Sequence, residues 1–228
     1  MTYYRRKILL ALIQRFGGTL GATVLQKYLF LMTRLQKDKA YDFVPYKFGC
    51  YSFQANYDLG ALEKKGFLKI VRNKNCTNYI IDPKTDCLSL IKRDDVGAIN
   101  EIYNQYAQLN AQELIRKTYL KYPFFAINST IIDSTLTQDE KIKVLSQKRS
   151  FSEKCLFTIG YEGISLESYM VKLILNGISV LCDVRKNSYS QKFGFSRKQL
   201  SDACEGLGIT YIHIPELGIV SDERQDLQ

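Results

Sequence analysis

The chain has 228 residues, 46% of them hydrophobic and 24% charged, and it carries a net charge of +9 at pH 7. This composition is typical of a globular protein and excludes an intrinsically disordered chain, and no apolar run approaches the roughly 20 residues that a membrane-spanning helix needs. The basic excess is uneven, since residues 1–75 hold 14 basic and 4 acidic side chains whereas residues 151–228 hold 8 and 10. A basic module beside a slightly acidic one suggests that the first meets a polyanion, although its lysines could also serve only solubility.

The first 82 residues predict three helices followed by a β-hairpin, because apolar side chains recur first at helical spacing and then in short strand-like runs. Between the second and third helices, residues 41–52 are rich in strand formers but contain Pro45 and Gly49, which favours a bent loop or an edge hairpin. The predicted helices are residues 3–16, 22–35 and 53–65, and the predicted strands are residues 67–72 and 78–81.

Several side chains in or next to these helices are predicted to cap a helix or to pack inward. Thr19 and Thr23 are candidate N-caps for the second helix, and Ser52 is a candidate N-cap for the third. The helical spacing also places Leu35 on the inner face of the second helix and Tyr57 on the inner face of the third.

Three helices followed by a hairpin is the order of a winged helix, and we therefore expect an α+β winged-helix domain over residues 1–82. A fold of this kind places its third helix in the major groove and its hairpin, the wing, against the backbone. On this interpretation basic side chains neutralise phosphates, and two amide side chains at the start of the third helix read adenine edges. The candidate phosphate contacts are Arg5, Arg6, Lys7, Arg72 and Lys74, and the candidate base contacts are Gln54 and Asn56.

The motifs LQKYLFL at residues 25–31, PYKFGCYS at 45–52 and LGALEKKG at 59–66 resemble the winged-helix domains of the Panacea antitoxin-like group. Cys50 stands where that group usually has proline. The connection between the second and third helices is longer than the 3–4-residue turn of a DNA-reading helix-turn-helix. Some members of the group are thought to bind proteins, so the resemblance also implies a protein-binding adaptor as an alternative.

Residues 83–150 predict a helical brace that ends in a linker near residue 150. Helices are expected over residues 94–108 and 111–121, where apolar and tyrosine side chains form stripes, and a short helical patch is expected over residues 139–145. These helices either brace the first module or form a homodimer contact through residues 94–121.

The spacing changes after residue 150 and predicts a small α/β Rossmann-like domain over residues 151–228. Apolar strands alternate with capped helices, which indicates a parallel sheet with right-handed crossovers. We expect residues 220–228 to form a charged tail outside the core. The predicted strands are residues 155–159, 179–184 and 209–214, and the predicted helices are residues 165–176 and 196–207.

Ligands of such sheets bind beyond the carboxyl ends of the strands. Backbone amides and a guanidinium there suit a phosphate or another anion, and carboxylates or the single histidine could act as acid or base. The alternatives are that Asp183 and Arg185 only neutralise each other, that His213 is a core residue, and that the glycines only serve a turn. The candidate ligand contacts are Gly160, Tyr161, Arg185, Ser188 and Ser190, and the candidate catalytic residues are Glu162, Asp183, Arg185 and His213.

The motifs TIGYEG at residues 158–163, GISVLCDVRKNSYS at 177–190, FSRKQL at 195–200 and GITYIHIPELG at 208–218 resemble the bacterial family called domain of unknown function 488. The family has no settled activity, and the genes of its members tend to lie near DNA-modification and phage-defence genes. Asn187 replaces the usual proline after the DVR motif. Because the family normally continues beyond its third strand, the resemblance implies that this domain is incomplete, and a natural truncation, a split product and an artificially shortened chain are the alternatives.

The sequence therefore predicts a nucleic-acid-binding regulator or defence component whose second domain senses or acts on an anionic small molecule or nucleotide. The alternatives are an enzyme acting on a nucleotide, a nucleic-acid base or a sugar, and an adaptor that binds an acidic protein. Duplex DNA is the expected partner, no membrane is expected, and the sequence indicates neither a cofactor nor an activity. Six scattered cysteines without a CxxC pair, and no export signal, favour a cytoplasmic protein with reduced thiols and no metal site.

Overall fold

A computed structural model describes residues 3–74, 76–82, 84–149 and 154–219. The chain divides into two compact units, Met1–Lys148 and Arg149–Gln228. Both contain helices and small sheets, so the protein is a mixed α/β protein. Among the described residues, no helix combines the length and the apolar character needed to cross a membrane. The predicted charged tail, residues 220–228, lies outside the described residues.

Unit 1, Met1–Lys148, contains seven α-helices and five strands among its described residues, together with 3-10 helices at Leu88–Leu90 and Pro123–Ala126. In chain order they are α1 (Tyr4–Arg15), β1 (Thr19–Gly21), α2 (Ala22–Thr33), β2 (Val44–Tyr46), β3 (Gly49–Tyr51), α3 (Phe53–Lys64), β4 (Lys69–Asn73), β5 (Cys76–Ile80), α4 (Arg93–Tyr106), α5 (Ala111–Lys121), α6 (Ile132–Thr135) and α7 (Gln138–Leu145).

The strands of unit 1 form two antiparallel sheets. The first has the order β1-β5-β4, with Thr19 opposite Ile80 and Lys69 also opposite Ile80 from the other side. The second is the hairpin β2–β3, in which Val44 pairs with Tyr51. The prediction of an edge hairpin within residues 41–52 is therefore confirmed, and the predicted hairpin after the third helix is confirmed as β4–β5.

The core of unit 1 lies between α1, α2 and the elements packed around them, and α1 buries a continuous run from Ile8 to Ile13. Two inner-face predictions are wrong. Leu35 is 44% exposed, because α2 ends at Thr33 and the helical spacing that predicted an inward position does not extend to Leu35. Tyr57 is 52% exposed because the buried face of α3 contains Leu59 and Leu62, and Tyr57 lies outside that face.

The caps of the helices are partly as expected. The side chain of Ser52 accepts a hydrogen bond from the backbone N–H of Ala55, so its prediction as the N-cap of α3 is confirmed. The prediction for Thr19 and Thr23 is wrong, since Gly21 is the N-cap of α2 and makes no side-chain hydrogen bond there. Thr19 instead lies in β1, a three-residue strand that the sequence did not predict.

The helices after β5 begin at well-formed caps. Asn110 and Glu113 form a capping box at the start of α5, and Thr137 and Glu140 form another at the start of α7. The predicted helical patch at 139–145 is confirmed as α7. The homodimer contact through residues 94–121 stays a prediction.

Unit 2, Arg149–Gln228, contains α8 (Leu166–Leu175), β6 (Val180–Asp183), α9 (Arg197–Gly206) and β7 (Thr210–His213), followed by a 3-10 helix at Pro215–Leu217. Strands β6 and β7 are parallel, with Val180 opposite Thr210 and Asp183 opposite His213. The parallel pairing predicted for these two strands is confirmed.

The predicted strand at residues 155–159 is wrong, because these residues adopt no strand conformation. A strand needs a ladder of hydrogen bonds to a neighbour, and its apolar side chains need a partner surface. Here Leu156 is 95% exposed and Phe157 is 52% exposed. An open cleft separates this segment from β6.

Gly218 follows the 3-10 helix of unit 2 and packs closely against the backbone of the loop after β6. A Cβ atom at this position would overlap the carbonyl oxygen of Val184 and the backbone nitrogen of Lys186. Only glycine allows two backbones to approach so closely. The chain after β7 therefore lies against the loop that follows β6.

Candidate functional site

A cleft of about 760 Å³ in unit 1 is walled by the start of α2, the hairpin β2–β3, one side of α3 and the hairpin β4–β5. Its walls also carry the aromatic side chains of Tyr46, Phe48, Tyr51 and Tyr79. Among the described residues that line it, none is aspartate or glutamate. The cations that line it are Lys27, Lys47, Arg72 and Lys74, and we call it the basic cleft.

Three of the predicted nucleic-acid contacts line the basic cleft. Lys74 is exposed at the turn between β4 and β5, and Asn56 is exposed on α3. Arg72 is on β4, where its Nη2 atom lies 3.1 Å from Oε2 of Glu63 in an exposed ion pair. Gln54, the other predicted base contact, is half-buried and does not line the cleft.

The predicted phosphate contacts at the N-terminus lie elsewhere. Arg6 is buried and its Nε atom lies 2.7 Å from Oδ1 of Asp58, while Nε of Arg5 lies 2.6 Å from Oδ2 of the same carboxylate. Because its guanidinium is enclosed and paired inside the unit, Arg6 is removed from the set of phosphate contacts. Lys7 is half-buried and, like Arg5, does not line the basic cleft.

Lys27 was not predicted as a site residue, although it is a lysine inside a mostly apolar helical motif. Its ammonium is buried and donates hydrogen bonds to the carbonyl oxygens of Phe48, at 2.5 Å, and Cys50, at 3.3 Å. Burial lowers the pKa of Lys27, and the neighbouring Cys50 opposes this effect. Lys27 therefore ties the hairpin β2–β3 to α2.

In unit 2 the predicted residues Asp183 and Arg185 form a close ion pair at the carboxyl end of β6. The Nε atom of Arg185 lies 2.8 Å from Oδ1 of Asp183, and Nη2 lies 2.6 Å from Oδ2. The hydroxyl of Tyr211, on β7, donates to Oδ2 at 2.7 Å. Tyr211 was not predicted as a site residue, and its alternating position in the strand gave no signal for this contact.

These contacts shift the pKa values of the cluster. Burial of Asp183 acts to raise its pKa, but the hydrogen bonds from Arg185 and Tyr211 outweigh it and lower the pKa to about 2. The hydrogen bond to Asp183 raises the pKa of Arg185, although burial opposes this effect. Burial and then the hydrogen bond to Asp183 raise the pKa of Tyr211. Asp183 is therefore a charged acceptor and a poor proton carrier near neutral pH.

One nitrogen of the Arg185 guanidinium takes no part in the ion pair with Asp183. Its Nη1 atom is buried and forms no hydrogen bond of ordinary geometry to a described residue, although the Tyr161 hydroxyl is near enough to raise the pKa of the guanidinium. The Tyr161 ring lies with its centroid 5.2 Å from Cζ of Arg185 and stacks on Phe195 at 4.7 Å. Lys192 donates to the backbone carbonyl of Tyr161 at 2.6 Å.

The structure thus brings together three of the predicted residues, Tyr161, Asp183 and Arg185. His213 joins them indirectly, since its Nε2 atom lies 2.8 Å from the carbonyl oxygen of Arg185. Glu162 is exposed, as is Gly160.

The two predicted serines lie in the loop between β6 and α9, where they make local hydrogen bonds. The carbonyl of Ser188 accepts from the backbone N–H of Arg197, and the carbonyl of Ser190 accepts from the hydroxyl of Ser196. The hydroxyl oxygen of Ser190 accepts from the backbone N–H of Lys192. These bonds shape the loop around Arg185.

A second cleft, of about 810 Å³, runs between β6, α8 and the segment at residues 155–161, and its lining includes Tyr161, Asp183 and Arg185. Most of the other lining side chains are apolar, and the polar ones besides those at Arg185 include Thr158, Lys172 and Asn176. Among the residues that the structure describes, no three histidine, cysteine, aspartate or glutamate side chains are grouped so as to hold a metal ion.

The family model described as Domain of unknown function DUF488 matches residues 165–228. The match covers α8, β6, α9 and β7, and it supports the resemblance drawn from the motifs of the second module. No curated protein matches the chain. The resemblance of unit 1 to the Panacea antitoxin-like group stays a prediction.

Proposed function

We propose that unit 1 is a winged-helix module that binds nucleic acid through the basic cleft, and that unit 2 is a Rossmann-like domain that binds a small anionic ligand. The observation that carries the first part is the lining of the basic cleft, where the exposed cations Lys47, Arg72 and Lys74 occur and no described lining residue is a carboxylate. A concave surface with one sign of charge concentrates the field and attracts a polyanion.

The order of elements supports the winged-helix assignment. Three helices precede the antiparallel hairpin β4–β5, and the short strand β1 completes a sheet of order β1-β5-β4. In this arrangement β4–β5 is the wing. Two of the four cations, Arg72 and Lys74, belong to the wing.

The exposed cations of the cleft can bind phosphate with little loss of free energy from their present contacts. Lys47 and Lys74 are exposed, and the ion pair of Arg72 with Glu63 is itself exposed, so solvent screens it and it contributes little to stability. A phosphate oxygen can therefore replace Glu63 as the partner of Arg72. Lys27 does not take part directly, because its ammonium is buried and donates to two backbone carbonyls.

The test is binding of the full chain to labelled mixed-sequence oligonucleotides, single-stranded and duplex, by fluorescence anisotropy at about 50 and about 200 mM salt. Each phosphate that the protein neutralises contributes about 0.9 to the log–log salt slope on duplex DNA. We expect binding that weakens steeply with salt and is lost in the double variant Arg72→Glu, Lys74→Glu.

The matched control is Lys143→Glu together with Lys141→Glu, which makes the same change in net charge on α7, outside the cleft. No binding of either oligonucleotide at either salt concentration would contradict the proposal, and so would an equal loss in the control. Binding of poly-glutamate without binding of nucleic acid would favour the protein-adaptor alternative.

A separate observation favours an anionic ligand in unit 2, namely the buried Nη1 atom of Arg185. A buried donor that forms no hydrogen bond of ordinary geometry to a described residue costs free energy, and a ligand oxygen would satisfy it. Asp183 accepts one N–H from Nε and one from Nη2, so the ligand oxygen would accept its hydrogen bond from Nη1.

Calorimetric titration of the full chain with inorganic phosphate and with adenosine monophosphate tests this second part. We expect binding in the wild type and in Lys186→Gln, an exposed neighbour, but not in Arg185→Gln. Lower thermal stability of Arg185→Gln with unchanged binding would make the Asp183–Arg185 pair purely structural. Absence of binding in the wild type would contradict the proposal for phosphate-type ligands.

A further inference from the structure

The tip of the hairpin β2–β3 presents an aromatic ring at the rim of the basic cleft. The two residues between the strands are Lys47 and Phe48, and both are exposed, with 49% of Phe48 accessible to solvent. Both residues line the cleft. A cation and a phenylalanine therefore lie next to each other in the chain at the opening of a basic concavity.

The backbone beneath this ring is held from several sides. Lys27 donates to the carbonyl of Phe48, and the backbone N–H of Thr130 donates to the carbonyl of Lys47 at 2.9 Å. Gly49 has a φ of +87°, and a Cβ atom there would lie 2.5 Å from Cε1 of Tyr119. Because the hairpin is fixed in this way, a ligand that contacts the Phe48 ring does not have to order a loop.

The third helix offers little for reading a duplex from this cleft. Only Asn56 and Gly60 of α3 line it, and a Cβ atom added at Gly60 would meet nothing within 4 Å. Direct readout of a duplex requires side chains long enough to reach base edges in the floor of a major groove about 12 Å wide. A concave wall with a glycine and one short amide lacks such side chains.

We propose that the basic cleft takes single-stranded nucleic acid, with an unstacked base lying on the Phe48 ring and the adjacent phosphates contacting Lys47, Arg72 and Lys74. This inference rests on the proposed function of unit 1. A positively charged groove that follows the backbone, together with an aromatic ring that stacks a base, is the combination by which proteins bind single strands without sequence preference. A duplex keeps its bases stacked inside and cannot use the Phe48 ring in this way.

The experiment compares three probes of about 20 nucleotides, a single strand, its duplex, and an abasic strand with the same phosphates and no bases. Each is titrated against the full chain as wild type, Phe48→Ala and Phe48→Tyr. For the wild type we expect the single strand to bind more tightly than the duplex and the abasic strand. Phe48→Ala should weaken single-strand binding by about 5- to 150-fold, the range for loss of one stacked base.

The same substitution should leave binding of the abasic strand unchanged, because that probe has no base to stack. Phe48→Tyr keeps an aromatic face and should retain single-strand binding. Circular dichroism melting of each variant checks that the fold is intact, and an exposed side chain at a hairpin tip should not change it.

Equal affinity for single strand and duplex, or equal effects of Phe48→Ala on the normal and abasic strands, would overturn this inference while salt-dependent binding still supported the proposed function. If no probe bound, the result would contradict both this inference and the proposed function. One set of titrations therefore distinguishes failure of this inference alone from failure of the proposed function.

Discussion

The guanidinium of Arg6 and the carboxylate of Asp58 form an ion pair that is enclosed within unit 1 and joins α1 to α3. Their side chains are 8% and 0% exposed, and Nε lies 2.7 Å from Oδ1. Arg5 and the hydroxyl of Tyr41 supply further hydrogen bonds to the same carboxylate. Asp58 is thus the shared acceptor that orients α3 against α1, and with it the Asn56 side of the basic cleft.

Replacing Asp58 with alanine should destabilise unit 1 by about 3–5 kcal/mol, because it leaves the buried Arg6 guanidinium without a counter-charge. Urea unfolding followed by circular dichroism measures the effect. The control is Glu63→Gln, which breaks the exposed pair with Arg72 and should cost far less, because solvent screens that pair. Equal costs for the two variants would show that the buried pair is not a structural link between α1 and α3.

Gly218→Ala should destabilise unit 2 by about 1–3 kcal/mol, since the new methyl group would overlap the backbone of Val184 and Lys186. Thermal or urea unfolding of the full chain measures it. Gly160→Ala is the matched control, because a Cβ atom there meets nothing within 4 Å, and we expect a change within about 0.5 kcal/mol. An unperturbed Gly218→Ala variant would mean that the chain after β7 does not lie against the loop after β6.

The lowered pKa of Asp183 predicts a specific loss of stability in acid. Its pKa is about 2 in the folded protein and about 3.8 when unperturbed, so the unfolded state binds the proton first as pH falls. The stability that Asp183 contributes is therefore present above about pH 4 and is lost as pH approaches about 2. The difference in unfolding free energy between the wild type and Asp183→Asn, measured from about pH 5 to about pH 2, should shrink over that window. A difference independent of pH would contradict the prediction.

Lys27→Met should loosen the hairpin β2–β3, because the carbonyls of Phe48 and Cys50 lose their donor. Loss of hydrogen bonds from a charged donor typically costs about 1.5–3 kcal/mol, which corresponds to an increase in local opening of roughly 10- to 150-fold. Hydrogen exchange at the amides of residues 49–51 reports this opening. Lys47→Met, a substitution of the same type at the exposed tip of the same hairpin, should leave their exchange rates nearly unchanged.

The sequence predicted most elements that carry a strong local signal. The amphipathic spacing of α1 and α3, the cap at Ser52 and the alternation of helix and strand around β6 and β7 all depend on residues close in the chain. Strand β1 was missed because three residues, Thr19–Gly21, are too short for an alternating pattern and gain their strand conformation from β5. Leu35 and Tyr57 were misplaced because helical spacing alone does not say where a helix ends or which neighbours cover it.

The same limit applies to the candidate site. The sequence placed Asp183 and Arg185 at the end of a strand and left open whether they pair with each other, and the structure shows the pair. It gave no indication that Asp58 would hold Arg5 and Arg6, since these residues are far apart in the chain. The basic cleft likewise combines four separate segments, namely α2, the hairpin β2–β3, α3 and the hairpin β4–β5, which only tertiary packing brings together.

The pairing of β1 with β5 has a consequence for how unit 1 folds. Thr19 lies opposite Ile80, so the contact closes a loop that contains α2, the hairpin β2–β3, α3 and β4. The hairpin β4–β5 closes only a short turn and can form early, whereas β1 can join it only after the entropy cost of the long loop has been met. In refolding experiments the amides of β1 should therefore gain protection after those of β4 and β5, and arrival of this edge strand should mark the formation of the native basic cleft.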